Sequence, residues 1–168
     1  MTTTDIAPTL ETALHTLEFG RGVFLKLLDS IPAKNLTTPA VPGGNHALWI
    51  AGHIAWTDDY FVVSLGGAPG LPEAWAGHFG MGSAPRDDPA SYPPLAEVKR
   101  VLAERRGAFV AILKGMDDAK LASPSPPALA FTGPRHSMIP GSAAWHEGMH
   151  AGQLTVVRRA LGLDPLFG

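Results

Sequence analysis

Apolar residues recur at three- and four-residue intervals in four stretches of the chain, and nowhere alternate with polar ones over a useful length. The first stretch, from about Thr9 to Ser30, puts Leu10, Leu14, Leu17, Phe24, Leu25 and Leu28 on one helical face. Ile31-Pro32 ends it, because the residue before a proline is pushed out of the helical region, while Gly20 and Gly22 weaken its middle. A connection rich in Pro, Thr and Gly follows (32–44). Asn45 then reads as the N-cap of a second helix, from His46 to about Leu65, closed by Gly66-Gly67. Trp49, Ile50, Ile54, Trp56, Phe61 and Val62 make that helix apolar enough to be mostly buried. A third helix runs from about Pro94 to Met116, with proline in its first turn where no donor is lost. Leu95, Val98, Val101, Leu102, Phe109, Ile112 and Leu113 form its inner stripe; Glu97, Lys99, Arg100, Glu104, Arg105 and Arg106 form its wet face. The fourth begins near Pro140–Ser142 and reaches about Leu161, with Gly162 as the C′ glycine.

Four long helices and no strands predict an all-α four-helix bundle, one domain over residues 1–168. Between the second and third helices lies a long Gly/Pro-rich connection (66–91), interrupted by one helical turn around Glu73–Phe79 and expected to lie over one end of the bundle. Residues 117–140 read as a second loop, with Ser-Pro-Ser-Pro-Pro at 123–127.

Composition narrows the chemistry. The 168 residues are 45 % apolar, enough for a core, and include no cysteine. That excludes disulfides, thiolate metal sites, iron–sulfur clusters and a cysteine nucleophile, so any metal must be held by nitrogen and oxygen. A net charge of −2 offers no basic field for nucleic acid. No run of about 18 apolar residues could span a membrane, and Met1–Pro8, polar with Asp5, is no signal peptide. The expectation is a cytoplasmic protein.

Among the seven histidines, His146 and His150 stand four apart on the fourth helix, so both imidazoles leave one face and can share an ion. With Glu147 they spell His-Glu-x-x-His, the zincin signature. That reading needs a third ligand downstream. After His150 there is neither His nor Glu, Val156 stands where the metzincin extension needs His, and the sheet of a zincin is missing. The third ligand must come from upstream, and His53, midway along the apolar second helix between Gly52 and Ile54, is the candidate. A histidine in such a place needs a partner, and facing helices of a bundle commonly build metal sites. His46, two turns away, reads as a surface histidine of the capping turn or a rim residue of the pocket; His15, His78 and His136 read as surface.

The string Asn45-His46-Ala47-Leu48-Trp49-Ile50-Ala51-Gly52-His53 resembles the Asn-x-x-x-Trp-x-x-Gly-His pattern of DinB-like four-helix proteins. His146-Glu147-Gly148-Met149-His150-Ala151-Gly152-Gln153, followed by Arg158 or Arg159 and Gly162, resembles their His-x-x-x-His-x-Gly-Gln ending. Leu71-Pro72-Glu73, Trp75, Phe79-Gly80 and Tyr92-Pro93 are similar to the loop before the family's third helix. The resemblance implies an up-and-down-related bundle, often a homodimer, with a divalent metal on His53, His146 and His150. It also implies activities like those of thiol-dependent S-transferases, a mycothiol-dependent maleylpyruvate isomerase, or the N-terminal bundle of ergothioneine-forming sulfoxide synthases.

Three histidines leave a tetrahedral ion one open corner, for water in a hydrolase or for a low-molecular-weight thiol in a transferase, acting on a small-molecule substrate. The thiol must be a cosubstrate, since the chain has none. Nitrogen ligation suits zinc, nickel or iron(II). Glu147 is a candidate base, but about 100° round the helix from His146 it is better placed beside the site, orienting an imidazole. Gln153 shares the histidine face and is a candidate for a hydrogen bond to a ligand. Asp58 and Asp59 fall off the His53 face and read as solvated; Trp49, Trp56 and Trp145 read as core. The other class of answer is a metal-binding or stress-related bundle with no turnover.

Overall fold

The computed structural model describes residues 10–167, so the reading of Met1–Pro8 lies outside the described residues. Among the described residues six α-helices follow in order: α1 (Leu10–Asp29), α2 (Ala47–Ser64), α3 (Ala74–Phe79), α4 (Leu95–Lys114), α5 (Asp118–Ala122) and α6 (Ile139–Ala160). The one β pairing among them is an isolated bridge between Pro124 and Arg135, and none of their helices is long and apolar enough to cross a membrane. The fold is all-α, as the periodicity predicts.

The four long helices pack as two tight pairs, α1 with α6 and α2 with α4. Side-chain pairs give their directions. Arg21 reaches Glu147 and Arg158 reaches Ser30, so α1 and α6 run parallel. Asp58 meets Arg106 and the Phe61 ring stacks on Phe109 at 5.1 Å, so α2 and α4 also run parallel. Across the pairs the order reverses, with Asn45 opposite Gln153 and Leu17 opposite Arg106. The topology is therefore up-down-down-up.

This explains the long connection. A chain leaving α2 at Ser64 must return the length of that helix, about 27 Å, before α4 can start alongside it. The segment therefore runs back along α2 instead of lying over one end. α3 packs on α2 with Phe79 fully buried, and Arg86 reaches the start of α2, where its carbonyl takes a 2.9 Å hydrogen bond from His46 Nε2. Gly52 makes the packing possible: a Cβ there would lie 2.2–2.5 Å from the Phe79 ring.

Local chemistry differs from the sequence reading at four places. The N-cap of α2 is His46, not Asn45: its Nδ1 accepts from Trp49 N at 3.1 Å, while the Asn45 side chain crosses to α6. His46 is wholly buried and His136 nearly so; His15 stays exposed and His78 is half-buried. Residues 117–140 are not simple loop but contain α5, N-capped by Asp117, and two 3-10 turns. Arg106 belongs to the interior of α4 rather than to its wet face. At the C-terminus of α6 Gly162 takes φ +74°, with Leu163 N bonded to Arg158 O and Gly162 N to Arg159 O, the paired bonds of a Schellman cap.

Candidate metal centre

α2 and α6 run antiparallel across a looser seam than the two tight pairs, and this seam brings His53 to the pair His146 and His150. One ligand atom of each lies within 4.8 Å of the others. His146 Nε2 is 3.3 Å from His53 Nε2 and 3.2 Å from His150 Nε2. Three nitrogens on a tetrahedral ion with bonds of about 2.0–2.1 Å would stand about 3.3–3.4 Å apart. The spacing fits.

The other ring nitrogens are fixed. His53 Nδ1 donates to the Phe79 carbonyl at 2.7 Å, and His150 Nδ1 donates to Gln153 Oε1 at 2.9 Å. A neutral imidazole carries one proton, so both Nε2 atoms present lone pairs toward His146. Lone pairs converging in a largely buried place need a proton or a cation between them, and a single His146 proton satisfies only one. The donor set, neutral imidazoles with each bound proton anchored elsewhere, is what a divalent ion requires.

Electrostatics keep the rings neutral. Burial pushes His146 and His150 down to about 4, with the neighbouring histidines adding to the effect. Burial also lowers His53, against a smaller opposing effect of the Phe79 carbonyl. Trp49 stacks flat on His53, with centroids 4.7 Å apart and planes 8° from parallel, and its indole N–H donates to Ser83 Oγ at 3.1 Å. Trp56 and Tyr60 continue the stack on the far side of His53, at 6.1 and 5.7 Å. Trp49 is core, Trp56 is half-buried, and Trp145, expected in the core, is 68 % exposed.

Glu147 takes its hydrogen bonds from arginines, not from an imidazole. It is completely buried on the interior face of α6, where Arg21 Nε and Arg106 Nη2 donate to its two oxygens, the latter at 2.9 Å. The same two arginines hold Asp58, Arg21 at 2.8 Å and Arg106 through both Nε and Nη2 at 2.9–3.2 Å. Two guanidiniums and two carboxylates, one from each long helix, thus form a closed, charge-balanced quartet. Burial works against the Arg106 charge, but Asp58 and Glu147 outweigh it and hold the guanidinium above its ordinary value. Asp58 is therefore buried rather than solvated. So is Asp59, held by Arg105 Nη1 and Gly70 N, each at 2.9 Å.

Sequence reasoning missed the quartet and the carbonyl of Phe79. Arg21, set between Gly20 and Gly22, shares its helix with Glu11, His15, Glu18, Lys26 and Asp29, so it gives little signal for the quartet. A backbone carbonyl leaves none.

The DinB superfamily model matches residues 16–154. A crystal structure of a conserved protein from Enterococcus faecalis superimposes with a TM-score of 0.62 at 20 % identity, covering 92 % of this chain and 98 % of that one, and so shares the fold. No curated protein matches the chain. With the family model covering most of the chain, both histidine strings included, the chain belongs to the DinB superfamily.

Proposed function

We propose that the protein is a divalent-metal-dependent enzyme that transfers a low-molecular-weight thiol to, or within, a small electrophilic substrate, with His53, His146 and His150 holding the ion. The carrying observation is the convergence of three Nε2 atoms whose rings are anchored through Nδ1 at two of the three positions. A structural zinc is normally closed by four protein ligands, and three favour an open, reactive corner. Bound to neutral imidazoles, a zinc, nickel or iron(II) ion keeps its full double charge and supplies Lewis acidity toward a thiol or a carbonyl oxygen.

The state of Glu147 favours transfer over hydrolysis. A glutamate with no exposed surface and a guanidinium on each oxygen is poorly placed to take a proton from water, which argues against the base of a zincin-type hydrolase. A thiol needs less help, because its pKa near 8.5 already lies close to neutrality. The half-buried faces of Trp56 and Tyr60, in line with His53, suit a flat or conjugated substrate. A reducing cytoplasm would keep such a thiol available. A homodimer is also proposed: Trp145, Met149 and Val156 are exposed along one face of α6, and Gly148 and Gly152 beside them leave room for close approach.

The test is elemental analysis of the purified protein, followed by assays with low-molecular-weight thiols and electrophiles, with and without chelator. One ion per chain, lost in His53→Ala and His150→Ala, with chelator-sensitive thiol transfer, supports the proposal. A metal-loaded protein inert toward every thiol and electrophile leaves a binding role instead. Sedimentation of wild type beside Trp145→Arg tests the dimer; a monomeric wild type refutes it.

A further inference from the structure

Gln153 Oε1 accepts from two sides, from His150 Nδ1 at 2.9 Å and from Asn45 Nδ2 at 3.1 Å. Asn45 is thereby two hydrogen bonds removed from the His150 ring, in the connection just before α2, with its side chain spent on neither capping nor core. We propose that Asn45 is a positioning residue that sets the tautomer of His150 by fixing which end of the Gln153 amide faces the ring. This rests on the three-histidine cluster being the metal centre.

A primary amide has two ends of nearly equal shape and opposite hydrogen-bonding character. With Oε1 toward His150, the ring must carry its proton on Nδ1, and the Nε2 lone pair is free for a cation. With the amide reversed, Nε2–H₂ of Gln153 donates to Nδ1, and the ring proton moves to His150 Nε2. His150 Nε2, 3.2 Å from His146 Nε2, then donates to that nitrogen, and its proton occupies the place of the ion. Both arrangements close their hydrogen bonds, so His150 and Gln153 do not choose between them. The choice falls to the group on the other side of the amide. The structure turns Asn45 Nδ2 toward Gln153, and an N–H there demands an oxygen, which favours the arrangement open to metal. His53 needs no such device, because its partner is a backbone carbonyl, which only accepts.

Asn45→Asp is the decisive change, since a carboxylate can only accept and so selects the reversed amide. Two readouts apply: long-range ¹H–¹⁵N spectra of the metal-free protein, which report the His150 tautomer, and zinc affinity by competition with a chromophoric chelator. The expected result is Nδ1–H in wild type and Nε2–H in Asn45→Asp, with zinc affinity lowered about 10- to 100-fold in the variant. Asn45→Ala, which leaves the amide free to choose, falls in between and serves if the aspartate variant folds poorly. A carboxylate acting through charge alone would tighten the binding of a cation, so the two roles differ in sign. An unchanged tautomer, or zinc affinity equal to or above wild type in Asn45→Asp, overturns the proposal. Loss of the metal-site reading shows separately, as a wild type that does not bind zinc and does not respond to His150→Ala.

Discussion

Glu147→Gln separates two meanings of His-Glu-x-x-His. If the glutamate is a general base, the variant loses activity and keeps its stability. If it is one corner of a buried quartet, the variant loses stability and keeps its metal. The structure supports the second. Glu147 has no exposed surface, and each of its oxygens takes a guanidinium donor from a different helix. Glutamine removes one of two negative charges facing two positive ones, and its –NH₂ end must meet a guanidinium N–H, donor against donor. Breaking a buried ion pair by deleting one partner costs about 3–5 kcal/mol. For a chain of this length each kcal/mol moves the midpoint by about 2–4 °C, so Tm should fall by about 6–20 °C. The assay is thermal unfolding by circular dichroism of the metal-free protein, beside elemental analysis of the loaded one. Arg21→Met combined with Glu147→Gln restores the charge balance and should cost less than the two single changes together. A Glu147→Gln protein with unchanged Tm and abolished turnover would refute the quartet and restore the glutamate base.

Gly52→Ala drives a methyl to within 2.2–2.5 Å of the Phe79 ring; it should cost about 1–3 kcal/mol by overpacking and weaken zinc binding as well, because Phe79 also supplies the carbonyl that orients His53. Equal zinc affinity in that variant would separate Gly52 from the site. With His146 and His150 lowered to about 4 in the fold, the unfolded chain binds protons at pH 4–6.5 that the folded chain does not. The stability of the metal-free protein is therefore full above pH 6.5 and falls as the pH drops toward 4, and a flat Tm profile over that window contradicts the burial of the rings. His46→Ala removes both the acceptor for Trp49 N and the donor to the Arg86 carbonyl, and denaturant unfolding should show a loss of at least about 1 kcal/mol.

What could be read from the sequence followed from local rules. The four long helices came from three- and four-residue periodicity, their ends from Pro32 and Gly162, and the three-histidine cluster from spacing on α6 and from a polar residue on an apolar α2. Misreadings occurred where a side chain's partner lies far off in the chain. Asn45 has the right chemistry for an N-cap, yet His46 beside it takes that place because its Nε2 has a carbonyl waiting at Arg86, 40 residues on. Asp58, Asp59, Arg105 and Arg106 look like a charged surface one residue at a time, and their burial follows only from the parallel pairing of α2 with α4, which sequence spacing does not encode.

That pairing also explains why one five-residue motif serves two purposes here. On a helix His146, His150 and Gln153 fall within about 60° of arc, while Glu147 lies about 100° away from His146. In this bundle the histidine arc faces the loose seam with α2, where it meets His53, and the glutamate faces the interior, where two arginines close around it. His146 and Glu147 are neighbours in the chain, so the site and the quartet share a peptide bond. A shift of α6 that spoiled the ligand spacing would also pull a carboxylate from two buried guanidiniums, at a cost of several kcal/mol. The quartet thus holds the depth and rotation of the ligand helix against the other three, and the acid that elsewhere activates water serves here to keep three imidazoles in register.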